Sequence, residues 1–206
     1  MKDIARGSGR PFLVCALPRS RTAWVANFLT YGQVYCAHEL CTVVRSVAEV
    51  PYLLRRLGTR YAGNADTAQA LILPQLREVL PTAPVVVIRR PVAEVVESLE
   101  ALAPFGAAER GLTAQAVQVL ARHVEAAARV PGALVLEYHE LEQEATARAL
   151  LAHVAPGEPF HRARWAMLAG LQVQLTGERL RAVVREAGAN TEAFLAARRT
   201  EGETVE

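Results

Sequence analysis

Four consecutive residues between an apolar run and a helical pattern, Arg19, Ser20, Arg21 and Thr22, set two guanidinium groups and two hydroxyls at one turn. Such groups suit a phosphate-type anion, because hydroxyls and main-chain N–H groups donate to its oxygens and a guanidinium does so in a bidentate manner. Pro18 ends the apolar run just before them. In open α/β sheets, ligands bind beyond the carboxyl ends of strands, where helix N-termini present free N–H groups. The stretch is a phosphate loop by position and not a Walker A motif, since it has neither the glycine pair nor the lysine. A polar strand-to-helix turn with Thr22 as the helix cap fits the same residues.

A second strand end repeats the plan. In "VVVIRRPVAEVVESL", residues 85–99, Arg89 and Arg90 follow a buried run, Pro91 stands at a first helical position, and Ser98 lies in the helix behind. Ser98 is about two turns into that helix, so it shares an anion with Arg90 only if the chain ahead of the helix folds back along it. Arg89 and Arg90 also fit as partners of Glu94 and Glu97. A third stretch, "CAHELC" at residues 36–41, offers His38 and Glu39 as proton acceptors. Their plainer roles are a strand-end histidine and an acid at a helix N-terminus.

These groups need a frame to bring them together. Residues 11–17, 83–89 and 133–138 are continuously apolar, the pattern of parallel strands covered on both faces, and residues 34–38 form a weaker fourth run. Helical patterns span residues 22–31, 43–57, 66–80 with a kink at Pro74, 91–102 and 113–130, and beyond Leu141 the chain reads as helix only. The expectation is an α/β three-layer sandwich: a central, mainly parallel sheet flanked by helices, with a helical C-terminal part. No internal repeat or long linker divides it, so residues 1–196 form one domain, and the polar, aperiodic residues 197–206 a frayed tail.

Composition narrows the function classes. With 206 residues and 51% apolar content the chain supports a substantial core, which excludes a disordered or fibrous protein. The net charge of +2 gives no case for a nucleic-acid partner, so any anion site is local. Lys2 is the sole lysine, so a phosphate-gripping cation here is a guanidinium. The three cysteines, Cys15, Cys36 and Cys41, lack zinc-knuckle spacing and read as reduced thiols; no metal site is expected. The first ten residues have no signal-peptide core and no run reaches the ~18 apolar residues of a membrane span, so a cytoplasmic chain without a membrane partner is expected.

Together the segments resemble the sulfotransferases that use 3'-phosphoadenosine 5'-phosphosulfate (PAPS), of bacterial or phage type. "PRSRTAW", residues 18–24, is similar to the family's loop P-[KR]-S-G-T-T-W, which holds the 5'-phosphosulfate. "RRPVAEVVES", residues 89–98, resembles the strand end and helical serine that hold the 3'-phosphate. "LVLEYHELEQE", residues 134–144, is similar to a strand and turn whose tyrosine lies near the adenine. The three occur in the family's order, over residues 11–151.

The resemblance implies a P-loop NTPase-like sulfotransferase fold that moves a sulfuryl group from PAPS to a hydroxyl or amine, leaving adenosine 3',5'-bisphosphate (PAP). Arg19 would meet the transferring group and the leaving phosphate. Ser20, Thr22 and the N–H groups of Arg21 and Ala23 would bind the 5'-phosphate. Arg90 and Ser98 would hold the 3'-phosphate, with Arg89 competing for that place, and Tyr138 would border the adenine. Arg21 stands where the family has glycine and Ala23 where it has a second hydroxyl. Glu39 is the preferred base with His38 close behind; His123 and His139 are weaker, and Glu140 takes a structural place. Acceptor pockets in the family come from variable loops, here residues 40–65 and 103–112, which carry Tyr52, Tyr61 and Phe105. The acceptor is a small molecule or a polymer, and the chain a monomer or homodimer. Arg162, Arg164 and Trp165 fit a late helix packed on the core. A P-loop-type small-molecule kinase and a non-catalytic domain on the same fold are the competing readings.

Overall fold

A computed structural model describes residues 9–102 and 113–171. Five parallel strands form one sheet in the order β2-β3-β1-β4-β5, with β1 at Arg10–Ala16, β2 at Val34–His38, β3 at Tyr61–Asp66, β4 at Val85–Arg89 and β5 at Leu134–Glu137. The central strand β1 alternates its apolar side chains between two cores. Phe12, Val14 and Ala16 enter one, with Trp24, Phe28, Leu150 and Leu168; Leu13, Cys15 and Leu17 enter the other, with Val50, Leu76, Val95 and Val124. A continuously apolar run is therefore what a strand covered on both faces requires.

The helices divide accordingly. On the first face lie α1 (Thr22–Leu29), α6 (Glu144–Val154) and α7 (Arg162–Ala169); on the second lie α2 (Glu49–Arg56), α3 (Leu73–Val79), α4 (Val92–Glu100) and α5 (Ala114–Ala128). The Trp24 indole stacks on Phe28 at 5.3 Å between ring centroids and donates to the Leu168 carbonyl at 3.0 Å, which ties α1 to α7. Leu168 is buried and Trp165 packs against the same core, as expected of a late helix. Thr113 caps α5, its hydroxyl accepting from the Ala116 N–H at 3.2 Å.

Two helical expectations are corrected. Residues 66–80 are not one helix: Asp66 ends β3, a short 3-10 turn follows at Ala68–Ala70, and α3 begins at Leu73 with Pro74 in its first turn, where a missing N–H costs nothing. Within residues 43–57 the helix begins only at Glu49, whose carboxylate accepts from the Arg45 N–H at 3.0 Å. The strand β3, "YAGNAD", went unanticipated because it has no β-branched residue and three polar or glycine positions. Every residue in it is buried, and Gly63 is required: a Cβ there would come within 2.2 Å of the Phe12 ring. Tyr61, offered above as an acceptor-pocket residue, is buried in this strand and donates to the Pro156 carbonyl at 2.6 Å. Phe105, the loop 103–112 and the tail 197–206 lie outside the described residues.

Candidate active site

Parallel pairing sets the carboxyl ends of β1, β4 and β5 side by side, so residues 19–22, 89–90 and 138 meet at one edge of the sheet. The turn after β1 is strained. Arg19 and Arg21 both have φ 62°, in the left-handed region that costs a side-chain-bearing residue about 1–2 kcal/mol. Among the described residues the non-glycine positions with positive φ are Arg19, Arg21 and Glu39, all at this edge. Such clustering of strained backbone marks functional sites. Arg21 caps α1 from that conformation without a side-chain hydrogen bond, so Thr22 is the first helical residue and not the cap.

Arg19 is the meeting point of the two strand ends. Its Nε donates to the Ser98 Oγ at 3.2 Å, and the Arg90 Nη1 donates to its carbonyl oxygen. Ser98, inside α4, is thus met by the long Arg19 side chain extending along that helix from the other strand end. The two neighbouring arginines separate: Arg89 forms a bidentate pair with Glu125 of α5, at 3.0 and 2.8 Å, whereas Arg90 turns inward with its side chain only 8% exposed. Arg90 also pairs with Glu94 at 3.4 Å. His139 bonds the other Glu94 oxygen at 3.0 Å, and that bond, ahead of the Arg90 contacts, holds the Glu94 carboxyl below the usual range. Glu97 is not an arginine partner in this arrangement; Glu125 and Glu94 take that role.

Tyr138 is buried between cations. The Arg90 guanidinium carbon lies 4.1 Å from its ring centroid and that of Arg21 lies 5.1 Å away. Arg21 continues past the ring to the Glu142 carboxylate at 2.6 Å, while its buried Nε has no partner. In place of glycine, then, the loop has a left-handed arginine whose side chain ties it to the turn after β5. Ser20 is fully buried, its hydroxyl directed to the Pro18 carbonyl at 3.5 Å, and Ala23 is exposed at the start of α1.

The candidate bases sit beside this loop. His38 Nε2 lies 3.0 Å from Thr22 Oγ1, and the Glu39 carboxylate lies 3.8 Å from the same ring nitrogen. Both side chains are more than a third exposed, so an incoming molecule can reach them. His123 lies on α5, remote in sequence from this turn, and His139 is engaged with Glu94. Burial pushes the Cys15 and Cys41 thiols up to about 12, and the nearby Asp66 carboxylate adds to the rise. Burial raises Cys36 as well. The raised values favour the neutral thiol over the thiolate at neutral pH.

The acidic residue at the end of β3 escaped the sequence reading. Asp66 is paired in register with Cys15 of β1, the strand that leads into residues 19–22. Here it is 1% exposed, and its oxygens accept from the Ala68 and Cys41 N–H groups, both at 2.8 Å, and from Asn64 Nδ2 at 3.2 Å. The signal that could have found it is the polar run Asn64, Asp66 and Gln69 in otherwise apolar surroundings.

A parallel five-stranded sheet in this order with helices on both faces matches the P-loop-like α/β fold of a solved sulfotransferase. In particular, the chain is similar to the crystal structure of mouse sulfotransferase SULT7A1 complexed with PAP, with a TM-score of 0.55 and 14% identity. The likeness covers 77% of this chain and 63% of that one, so the chain spans less than two thirds of that protein's length. No protein-family model and no curated protein matches the sequence. Among the described residues, no helix is long and apolar enough to cross a membrane.

Proposed function

We propose that the chain is a PAPS-dependent sulfotransferase whose donor lies across the carboxyl ends of β1 and β4. The observation that carries this reading is the convergence of Ser98 and Arg90, from one strand end, on Arg19 of the other. A nearly buried arginine and a helical serine brought to the turn after the neighbouring strand are the arrangement that two halves of one anion site require. The solved sulfotransferase of like fold was crystallised with PAP, the product such a donor leaves.

In this reading the 5'-phosphosulfate rests on the N–H groups of residues 21–23 and on the Thr22 hydroxyl, with Ser20 buried beneath the turn and Arg19 at the bridging oxygen. Arg90 and Ser98 take the 3'-phosphate, Arg89 is a structural cation, and Tyr138 carries the adenine side with Arg21 behind it. An acceptor hydroxyl or amine attacks the sulfur as Glu39 removes its proton. The bond from sulfur to the bridging oxygen breaks, and Arg19 stabilises the charge left on the 5'-phosphate of PAP. Glu39 is preferred as the base because His38 is already bonded to Thr22. No step requires a metal ion. We place the acceptor, a small molecule or a polymer, on the side of His38 and Glu39.

The test is transfer of labelled sulfate from PAPS to a panel of phenols, alcohols and amines, with PAP release followed in parallel. Turnover that disappears in Arg19→Ala supports the reading. PAP binding without turnover on any acceptor leaves the non-catalytic domain as the better description, and ATP turnover with magnesium leaves the kinase.

A further inference from the structure

The polar side chains at the end of β3 have a task the mechanism above does not use. Three consecutive main-chain N–H groups after β2 are taken by that strand end: Glu39 N–H donates to the Ala65 carbonyl at 3.0 Å, Leu40 N–H to Asn64 Oδ1 at 3.0 Å, and Cys41 N–H to Asp66 Oδ2 at 2.8 Å. Asn64 and Asp66 are 0% and 1% exposed. They are themselves held: Asn64 Nδ2 donates to Asp66 Oδ2 at 3.2 Å and to Gln69 Oε1 at 3.0 Å, and Gln69 Nε2 donates to the Asn64 carbonyl at 3.4 Å. A buried amide and carboxylate in a sheet interior are costly unless every group is bonded, and such departures from an apolar core tend to serve a site.

The segment they hold is the strained one. Glu39 has φ 56°, a conformation that a glutamate adopts only when its surroundings enforce it, and the capture of three successive N–H groups is such enforcement. With the backbone so turned, His38 meets Thr22 and the Glu39 carboxylate lies next to His38. We propose that Asn64 and Asp66 are positioning residues, fixing the left-handed turn at Glu39 so that His38 and Glu39 face the phosphate loop. As a role in transfer this rests on the donor-site reading above; as a statement about what orients His38 it stands alone.

The experiment uses the full chain and diethyl pyrocarbonate, with the modification rate of each histidine read by mass spectrometry in the presence and absence of PAP. His153, bonded to the Val85 carbonyl at 3.1 Å on the opposite side of the fold's layers from the second core, is the internal control. In Asn64→Ala we expect His38 to react about tenfold faster, as local opening frees its ring from Thr22, with His153 unchanged. Asp66→Asn preserves side-chain volume and should give a smaller rise at His38; it serves as the second variant if Asn64→Ala fails to fold. PAP affinity in either variant should remain within about twofold of the wild type, because the phosphate loop is not what Asn64 holds. An unchanged His38 rate, an equal rise at His153, or a matching loss of PAP affinity overturns the positioning role. Failure of the donor reading shows separately, as a wild-type His38 rate and a calorimetric trace that PAP does not alter.

Discussion

The carboxyl ends of β1 and β4 begin from the same plan, a buried strand, arginines and a helix, and use it in opposite ways. At β1 the backbone itself is shaped: Arg19 and Arg21 are left-handed, and the Arg19 side chain extends to Ser98. At β4 the backbone is ordinary and the side chains do the sorting, Arg89 leaving for Glu125 and Arg90 turning in to Arg19. Strand alternation explains the split, since successive side chains point to opposite sides. One strand end is therefore shaped by its backbone and the other by its side chains. Two adjacent arginines of equal promise in the sequence become, in the fold, an ion pair with Glu125 and a nearly buried neighbour of Arg19 and Tyr138.

That contrast can be broken by substitution. The largest effect is expected at Arg19→Ala, which removes the cation at the leaving phosphate and should slow sulfate transfer about 100- to 1,000-fold, measured as turnover at saturating PAPS. Next is Arg90→Ala, which should weaken PAP binding in calorimetry by about 10- to 100-fold, the usual scale for losing a bond to a charged group. Ser98→Ala sharpens the assignment of the 3'-phosphate: its affinity for PAP should fall about 2- to 10-fold while that for AMP stays constant, and an equal change for both would remove Ser98 from the site. The smallest effect is expected at Arg89→Ala, where PAP affinity should move by no more than about 2-fold, since an exposed ion pair with Glu125 contributes little. Equal losses at Arg89 and Arg90 would erase the distinction between the two.

Much of the frame was legible in the sequence. The runs that became β1, β4 and β5 are mostly apolar because both faces are covered, and helices α1, α4 and α5 follow from periodicity. β3 was not legible, because a strand buried between two others can be built from alanine, glycine and asparagine when a neighbouring ring such as Phe12 fills the space. The turn at residues 19–22 was readable as a strand-to-helix break by position alone. Its contacts to Ser98, Arg90 and Glu142 were not, since they join residues whose nearness depends on the strand order, which no local pattern contains. The same holds for the hold of Asn64 and Asp66 on residues 40 and 41.

The central claim is that one anion-bearing nucleotide spans both strand ends, and calorimetric titration with PAP, against AMP and ATP with magnesium as controls, tests it most directly. Tight binding that requires the 3'-phosphate, and that drops in Arg90→Ala, is the predicted result. Indifference to the 3'-phosphate, or a preference for ATP with magnesium, would contradict it.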